Sequence, residues 1–355
     1  MKKRYAYLAL FSLGLIGAIW LYNSLKSRQV LQEHLASGKP TLRKLFEGKE
    51  ELSFRGIAAL NDSVVWVSGN FGTFGKSLDG GEHWVFGKIP GADSLQFRDI
   101  QLFDRKAALL MGSGYPTTIY KTTNGGLDWH QVYYNPDSSF FLDGMDFWPD
   151  GNGLALGDPI NGKFVLLRTE DYGDTWELDT VNAPDAIPGE AAFAASGTAI
   201  RCHAVNQVTF VSGGAQARVF TSNDRGNSWS ISVLPIQAGN NTKGAFSFDR
   251  FANHIVVVGG DYDHNADTIA TGAWSNDLTN FNLVQGLPYQ SSVAFHNDSI
   301  VLSVGTSGCF VSFNSGMTWT LFSGDELHAV TKSQSGEKLF VSGPHGRIGF
   351  IDFKK

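Results

Sequence analysis

Charge is scarce in this sequence. Lys, Arg, Asp and Glu make up 17% of its 355 residues, and the formal net charge is −6. A protein that tracks a nucleic-acid backbone normally carries a basic face, so no nucleic-acid partner is expected. Cysteine is scarcer still, with Cys202 and Cys309 as the two copies. They fall in different repeats and read as two separate buried thiols. Neither lies near the N-terminus, which excludes lipoprotein processing. No Gly-x-Gly-x-x-Gly follows a strand-like run and opens a helix, so a dinucleotide site of that kind has no support. The nine His residues form no His-x-x-x-His pair. The stretch DYDHNAD, Asp261 to Asp267, alternates oxygen ligands like part of a calcium loop, but lacks the later Gly and Glu. It reads as a solvated acidic loop. No metal and no cofactor is expected.

What is abundant is glycine, at 41 residues, and aromatics, at 13%. That mixture suits many short strands joined by tight turns. One turn recurs: SLDGGEHWV, TTNGGLDWH, TEDYGDTWE, SNDRGNSWS and SFNSGMTWT. A degraded copy, SNDLTNF, has Thr279 for the Gly and Phe281 for the Trp. The closing aromatics are Trp84, Trp129, Trp176, Trp229, Phe281 and Trp319, spaced 38 to 53 residues apart. A period of this length, with strand-like runs between turns, marks a propeller. In each copy the Asp or Asn (Asp79, Asn124, Asp171, Asp224, Asn314) can bond backbone N–H groups across the turn. The Gly supplies a positive φ at low cost, and the Trp buries apolar area between strands or sheets. These are structural residues, not catalytic carboxylates.

The runs FRGIAAL, VVWVSG, GTFGKSL and HWVFGK give blade 1. Later blades begin near Gln96, Phe140, Ala191, Gly244, Gln290 and Glu326. The last blade has three strands before the chain ends, and TLRKLFEG, Thr41 to Gly48, can supply the fourth. The expected fold is all-β: a seven-bladed β-propeller of four-stranded blades over residues 41–355, closed by an N-terminal strand.

Residues 1–28 stand apart, and 29–40 read as a linker. MKKR precedes an uncharged, mainly apolar run from Tyr5 to Ser24, long enough to span a bilayer as a helix. A cleavable signal peptide is the competing reading, but Ile16-Gly17-Ala18 fits a small-residue cleavage site poorly, with Trp20 and Tyr22 following. Either way the positive N-terminus stays cytoplasmic and the propeller lies across the membrane, in the periplasm or outside the cell.

The recurrent turns resemble the Asp-box, or BNR repeat, Ser/Thr-x-Asp-x-Gly-x-Thr-Trp. This is known from sialidases, from some other glycosidases and from many non-catalytic propellers. The stretches SFRGIAAL, FLDGMDFWPDGNGLALGDPINGKFVLLRTEDYGDTW, PGEAAFAASGT, ARVFTSNDRGNSW, VVVGGDYD and HGRIGFI resemble a bacterial single-propeller group. That group is related to the photosystem II stability/assembly factor propellers. The resemblance covers about residues 41 to 353. It implies a seven-bladed ring whose members are mostly uncharacterised, some under a generic oxidoreductase label.

Propeller topology puts the starts of inner strands and the loops between second and third strands on one face. The first set contributes Arg55, Arg98, Asp143, Asp146, Glu190, Gln290 and His328. The second contributes Tyr115, Asp158, Arg218, Asp261, Tyr262, His345 and Arg347. Arginine forks bind carboxylates with two parallel hydrogen bonds, so this face suits an anionic or polyhydroxylated ligand, or a protein or peptide partner. A membrane-anchored binding or assembly-factor scaffold is the first functional reading. A sialidase-like glycosidase is the alternative. It would cluster Arg55, Arg218 and Arg347 on the carboxylate of an anionic sugar, with Glu190, Tyr262 and Asp261 as chemistry. The Pro of the sialidase Arg-Ile-Pro is absent after Arg55-Gly56-Ile57.

Overall fold

The computed structural model describes residues 39–353, and every regular element in that span is a strand. Seven sheets follow one another along the chain. Blade 1 is the meander Phe54–Ala59, Val65–Gly69, Thr73–Ser77 and Val85–Lys88, as its alternating runs predict. The inner strand of each blade lies against that of the next. Ala329–Lys332 of blade 7 lies against Phe54–Ala59 of blade 1, which closes the ring. Strand Pro40–Phe46 pairs with Ile348–Phe353 and completes blade 7, as the orphan third strand demanded. Two ion pairs fasten it: Arg43 Nε to Asp352 at 3.0 Å and Lys44 Nζ to Asp325 at 2.8 Å. The third strand of blade 7 is therefore not left as an open edge. The proposed membrane segment lies outside the described residues. Among the described residues no helix is long and apolar enough to cross a membrane.

The core sits between blades. Trp66 and Phe74 of blade 1 pack with Phe97, Leu110 and Trp129 of blade 2, and equivalent apolar layers recur around the ring. Burying one such aromatic contributes about 2–3 kcal/mol, so the ring is held mainly by these layers. Buried carboxylates tie the inner strands together. Asp99 accepts from Ile100 N of its own strand and from Met145 N of blade 3, both at 2.7 Å. Asp146 does the same toward Cys202 N at 2.7 Å, and Asp249 toward Phe295 N at 2.7 Å. Cys202 and Cys309 are both free thiols.

The recurrent turns share one geometry. The Thr169 hydroxyl donates to Asp171 Oδ1 at 2.8 Å and accepts from Gly173 N at 2.9 Å. Asp171 Oδ1 accepts from Thr175 N at 2.9 Å. Asp79, Asn124, Asp224 and Asn314 repeat this pattern. Two consecutive residues adopt positive φ, for example Tyr172 at 58° and Gly173 at 77°. The second must be glycine for a further reason: a Cβ on Gly173 would stand 2.6 Å from Leu109 of blade 2. Blade 5, with Thr279 at that place, keeps positive φ at Leu278 alone.

Blade 4 corrects the sequence reading. Its inner strand is Ile200–His203, not a run from Ala191. Glu190–Ala191 instead pairs with Gly213–Gly214, beside Lys243–Phe251, and extends the sheet of blade 5. Residues 192–199, small apart from Phe193, then cross the mouth of the ring. The Trp176 to Trp229 interval, at 53 residues the longest of the set, is the trace this excursion leaves in the sequence.

Candidate functional site

Four inner strands carry a β-bulge at the same level. The register skips one residue between Phe54 and Gly56, Phe97 and Asp99, Leu142 and Gly144, and Ala245 and Ser247. The residues skipped are Arg55, Arg98, Asp143 and Phe246. A bulge leaves its extra residue out of the ladder and re-aims its side chain. All four line one pocket of about 550 Å³ at the mouth of the ring. Asp158, Tyr262, Tyr289 and His328 complete its polar lining, with Phe141 and Phe193 as apolar wall.

The segment 192–199 forms the floor. Arg55 Nη1 donates to Ala195 O at 3.3 Å, and Arg98 Nη1 donates to Ala194 O at 3.4 Å. Ser196 Oγ donates to Ser291 O at 2.8 Å, and Thr198 Oγ1 meets Ser247 Oγ at 2.6 Å. Gly197 has φ 72°, and a Cβ there would stand 2.1 Å from Asp99 Oδ1. We expect Gly197→Ala to destabilise the protein by about 2–4 kcal/mol, combining left-handed strain with overpacking. Chemical denaturation beside the parent measures it, and a loss below about 1 kcal/mol would show that the floor yields easily.

Charge in the pocket is incompletely neutralised. Among the described residues Arg55 has no carboxylate partner, and burial together with the Arg98 charge lowers its pKa to about 10. Burial also lowers the pKa of Arg98, whose Nη2 donates to Gln96 Oε1 at 2.8 Å. Burial and the two guanidiniums push His328 well below its ordinary value, so it is neutral at physiological pH. Opposite them, burial and the neighbouring Asp158 push Asp143 well above the usual carboxylate range. Among the described residues neither oxygen of Asp143 has a hydrogen bond of ordinary geometry, although the Ala194 N–H lies near enough to favour its charged form, and the residue is 1% exposed. Burial raises Asp158 to about 6, against a bond from Ala192 N at 3.0 Å.

The pocket thus gathers Arg55, Arg98, Asp143, Asp158, Tyr262 and His328 from the residues singled out in the sequence. The other eight do not line it. Arg218 and Glu190 are locked in a buried bidentate ion pair, with Arg218 Nε to Glu190 Oε1 at 2.8 Å. Asp261 is 2% exposed and pairs with His264 at 3.0 Å and Lys243 at 3.7 Å. Arg347 pairs with Glu47 at 3.1 Å and lines a separate shallow pocket with Asp325, Glu326 and His345. The Arg55, Arg218 and Arg347 cluster that a sialidase needs is therefore not gathered on this pocket. Of the other face residues, Gln290 is buried and Tyr115 is exposed. Phe246, Tyr289 and Phe193 escaped the sequence reading. Aromatic residues ordinarily signal core; here the bulge turns Phe246 toward the mouth, the blade 4 excursion brings Phe193, and Tyr289 stands in the segment that leads into Ser292–Phe295 of blade 6.

With this geometry in view, the comparisons place the fold. The chain is similar to a solved structure of YCF48 bound to D1 peptide, with a TM-score of 0.61 at 13% identity over 87% of this chain and 94% of that one. It is equally similar to YCF48 from Cyanidioschyzon merolae, with a TM-score of 0.60 at 15% identity over 87% and 98%. The WD40 domain of Neurospora crassa Pan2 follows at 0.55 and 14%, over 86% and 98%. At such identities the shared property is the propeller fold. No protein-family model and no curated protein matches the chain.

Proposed function

We propose that this propeller is a peptide- or protein-binding scaffold of the assembly-factor kind, working through the mouth that holds Arg55, Arg98, Asp143 and Asp158. The observation that carries this reading is the set of bulges that bring Arg55, Arg98, Asp143 and Phe246 into one pocket. Two arginines line this pocket together with the exposed Tyr262 and with Phe141, Phe193 and Phe246. Such a mixture of cation and aromatic is typical of the anchors of protein interfaces. The likeness to YCF48 bound to D1 peptide supports a peptide partner. In this reading Tyr5 to Ser24 anchors the propeller on the outer side of the membrane, and the recurrent turns are Asp-box turns.

The glycosidase alternative loses its ground. Arg218 and Arg347 each pair with a carboxylate, and Glu190 and Asp261 are ion-paired as well.

The test is capture of partners from membranes by the full-length chain, beside the Arg55→Ala/Arg98→Ala variant. We expect a partner retained by the parent and reduced at least about tenfold by the variant, the equivalent of one lost charged contact. A partner list unchanged by the double substitution would remove this face from the function.

A further inference from the structure

The pocket is bipolar. Arg98 feels both the Arg55 charge and the Asp143 charge, and Asp143 in turn feels Asp158. Arg55, Arg98 and Asp143 occupy the same bulge on the inner strands of blades 1, 2 and 3, and Asp158 also belongs to blade 3, so the polar groups follow one another around the mouth in the order Arg55, Arg98, then the two carboxyl groups. At one end stands a guanidinium whose hydrogen bond goes to a backbone carbonyl, Ala195 O. Near the other stands the Asp143 carboxyl group, 1% exposed, which has the Ala194 N–H beside it but among the described residues no hydrogen bond of ordinary geometry on either oxygen. A buried polar group without a partner costs free energy, and a native structure retains one where something else supplies the bond. Tyr289 and Tyr262 flank the arginine end, and Phe141, Phe193 and Phe246 wall the space between. The cavity volume suits a small molecule and lies within the usual range for ligand pockets.

We propose that this pocket binds a small free zwitterion, an amino acid or a dipeptide, with its carboxylate on Arg55 and Arg98 and its ammonium on Asp143 and Asp158. An anion alone would face the Asp143 and Asp158 end without offering it a cation. A cation alone would meet the Arg55 guanidinium, whose charge no carboxylate among the described residues offsets. A molecule with both ends satisfies each pole, and the arginine fork takes a carboxylate with two parallel bonds. Both ends must reach their poles at once, so ligand length is selected. This inference goes beyond peptide capture from membranes, because the ligand is free, and the two readings fail in separate experiments.

Isothermal titration calorimetry on the full-length chain tests it. The probes are glycine, the ω-amino acids up to 6-aminohexanoate, and glycylglycine. We expect saturable binding that peaks at one length. The N-acetyl and the amide forms of the best probe should each bind at least about tenfold more weakly, since each removes one charged end. Asp143→Asn and Arg55→Gln should each weaken the unblocked probe by a similar factor. Asp143→Asn is nearly isosteric, and a cooperative melt confirms that each variant is folded. Equal binding of the blocked forms would overturn the proposal. So would the absence of binding to the folded parent by every probe at about 10 mM.

Discussion

Arg218→Ala will cost the fold about 3–5 kcal/mol, the loss expected when one partner of a buried ion pair is removed. The guanidinium grips both oxygens of Glu190, donates to Asp185 O at 3.0 Å, and lies over the Phe220 ring at 4.7 Å. Glu190 also accepts from Ser212 Oγ at 2.5 Å and from Ile187 N at 3.0 Å. Its side chain is fully buried, so without Arg218 a carboxylate stays in the interior with two neutral donors. The pair also joins Glu190, on the strand that reaches blade 5, to Arg218 of blade 4. Chemical denaturation measures the loss. Arg218→Met with Glu190→Leu should recover most of it, because apolar replacement of both charges is often neutral. Arg55→Ala is the contrast. It gives up one long bond to Ala195 O and relieves repulsion from Arg98, so the melting temperature should barely move or should rise. If Arg218→Ala proves as mild as Arg55→Ala, the pair is not what holds blade 4.

Asp158→Asn should make the protein more stable at pH 8, by about 2 kcal/mol, with the gain gone by about pH 4. The Asp158 carboxyl titrates at about 6 in the fold, above the ordinary carboxylate value, because burial disfavours its charge. A raised acid pKa contributes stability that is complete below the unfolded value. That contribution is lost as pH rises through the folded value, so at pH 8 the charged group works against the fold. Asp99, raised to about 7 by burial, acts in the same sense. The turn carboxylates act oppositely. Bonds from Ser228 and Ser222 lower Asp224 to about 2, and its contribution fades only as pH falls toward that value. The parent should therefore be most stable between about pH 4 and 6. Urea midpoints measured from pH 4 to 8 on parent and variant give the answer. A parent curve that rises steadily to pH 8 would mean that Asp158 is solvated in solution. A carboxylate kept where it weakens the fold at neutral pH is what a ligand-binding role would require.

Much of the fold was legible because the repeat is local. Five Ser/Thr-x-Asp/Asn-x-Gly turns and their aromatics set the blade count, and the orphan third strand of blade 7 called for Thr41 to Gly48, where Pro40–Phe46 forms the strand. The blade 4 excursion was not legible. PGEAAFAASGT looks strand-like by composition, and its place across the mouth depends on contacts with blades 1, 2, 5 and 6. The site was half legible. Charged residues at the starts of inner strands pointed to Arg55, Arg98 and Asp143, but the bulges that turn them inward follow from register. Arg218 and Glu190 share the same surface pattern, and only the structure shows that they satisfy one another. Sequence position assigns a residue to a face. It does not say whether its charge is spent there.

The strand that completes blade 7 has a kinetic corollary. Thr41 and Asp352 bond to one another across 311 positions of chain. At about 5–20 residues per second of synthesis, Thr41 waits tens of seconds for its partner to emerge. Throughout that wait blade 1 has no seventh neighbour, and Phe54, Phe46 and Phe86 remain uncovered by Phe340 and Ile348. The latch is thus the last joint to form and the first place where two nascent copies can exchange strands. A pair of chains, each lending its first strand to the other, would satisfy every bond of the closed ring while producing an interlocked dimer.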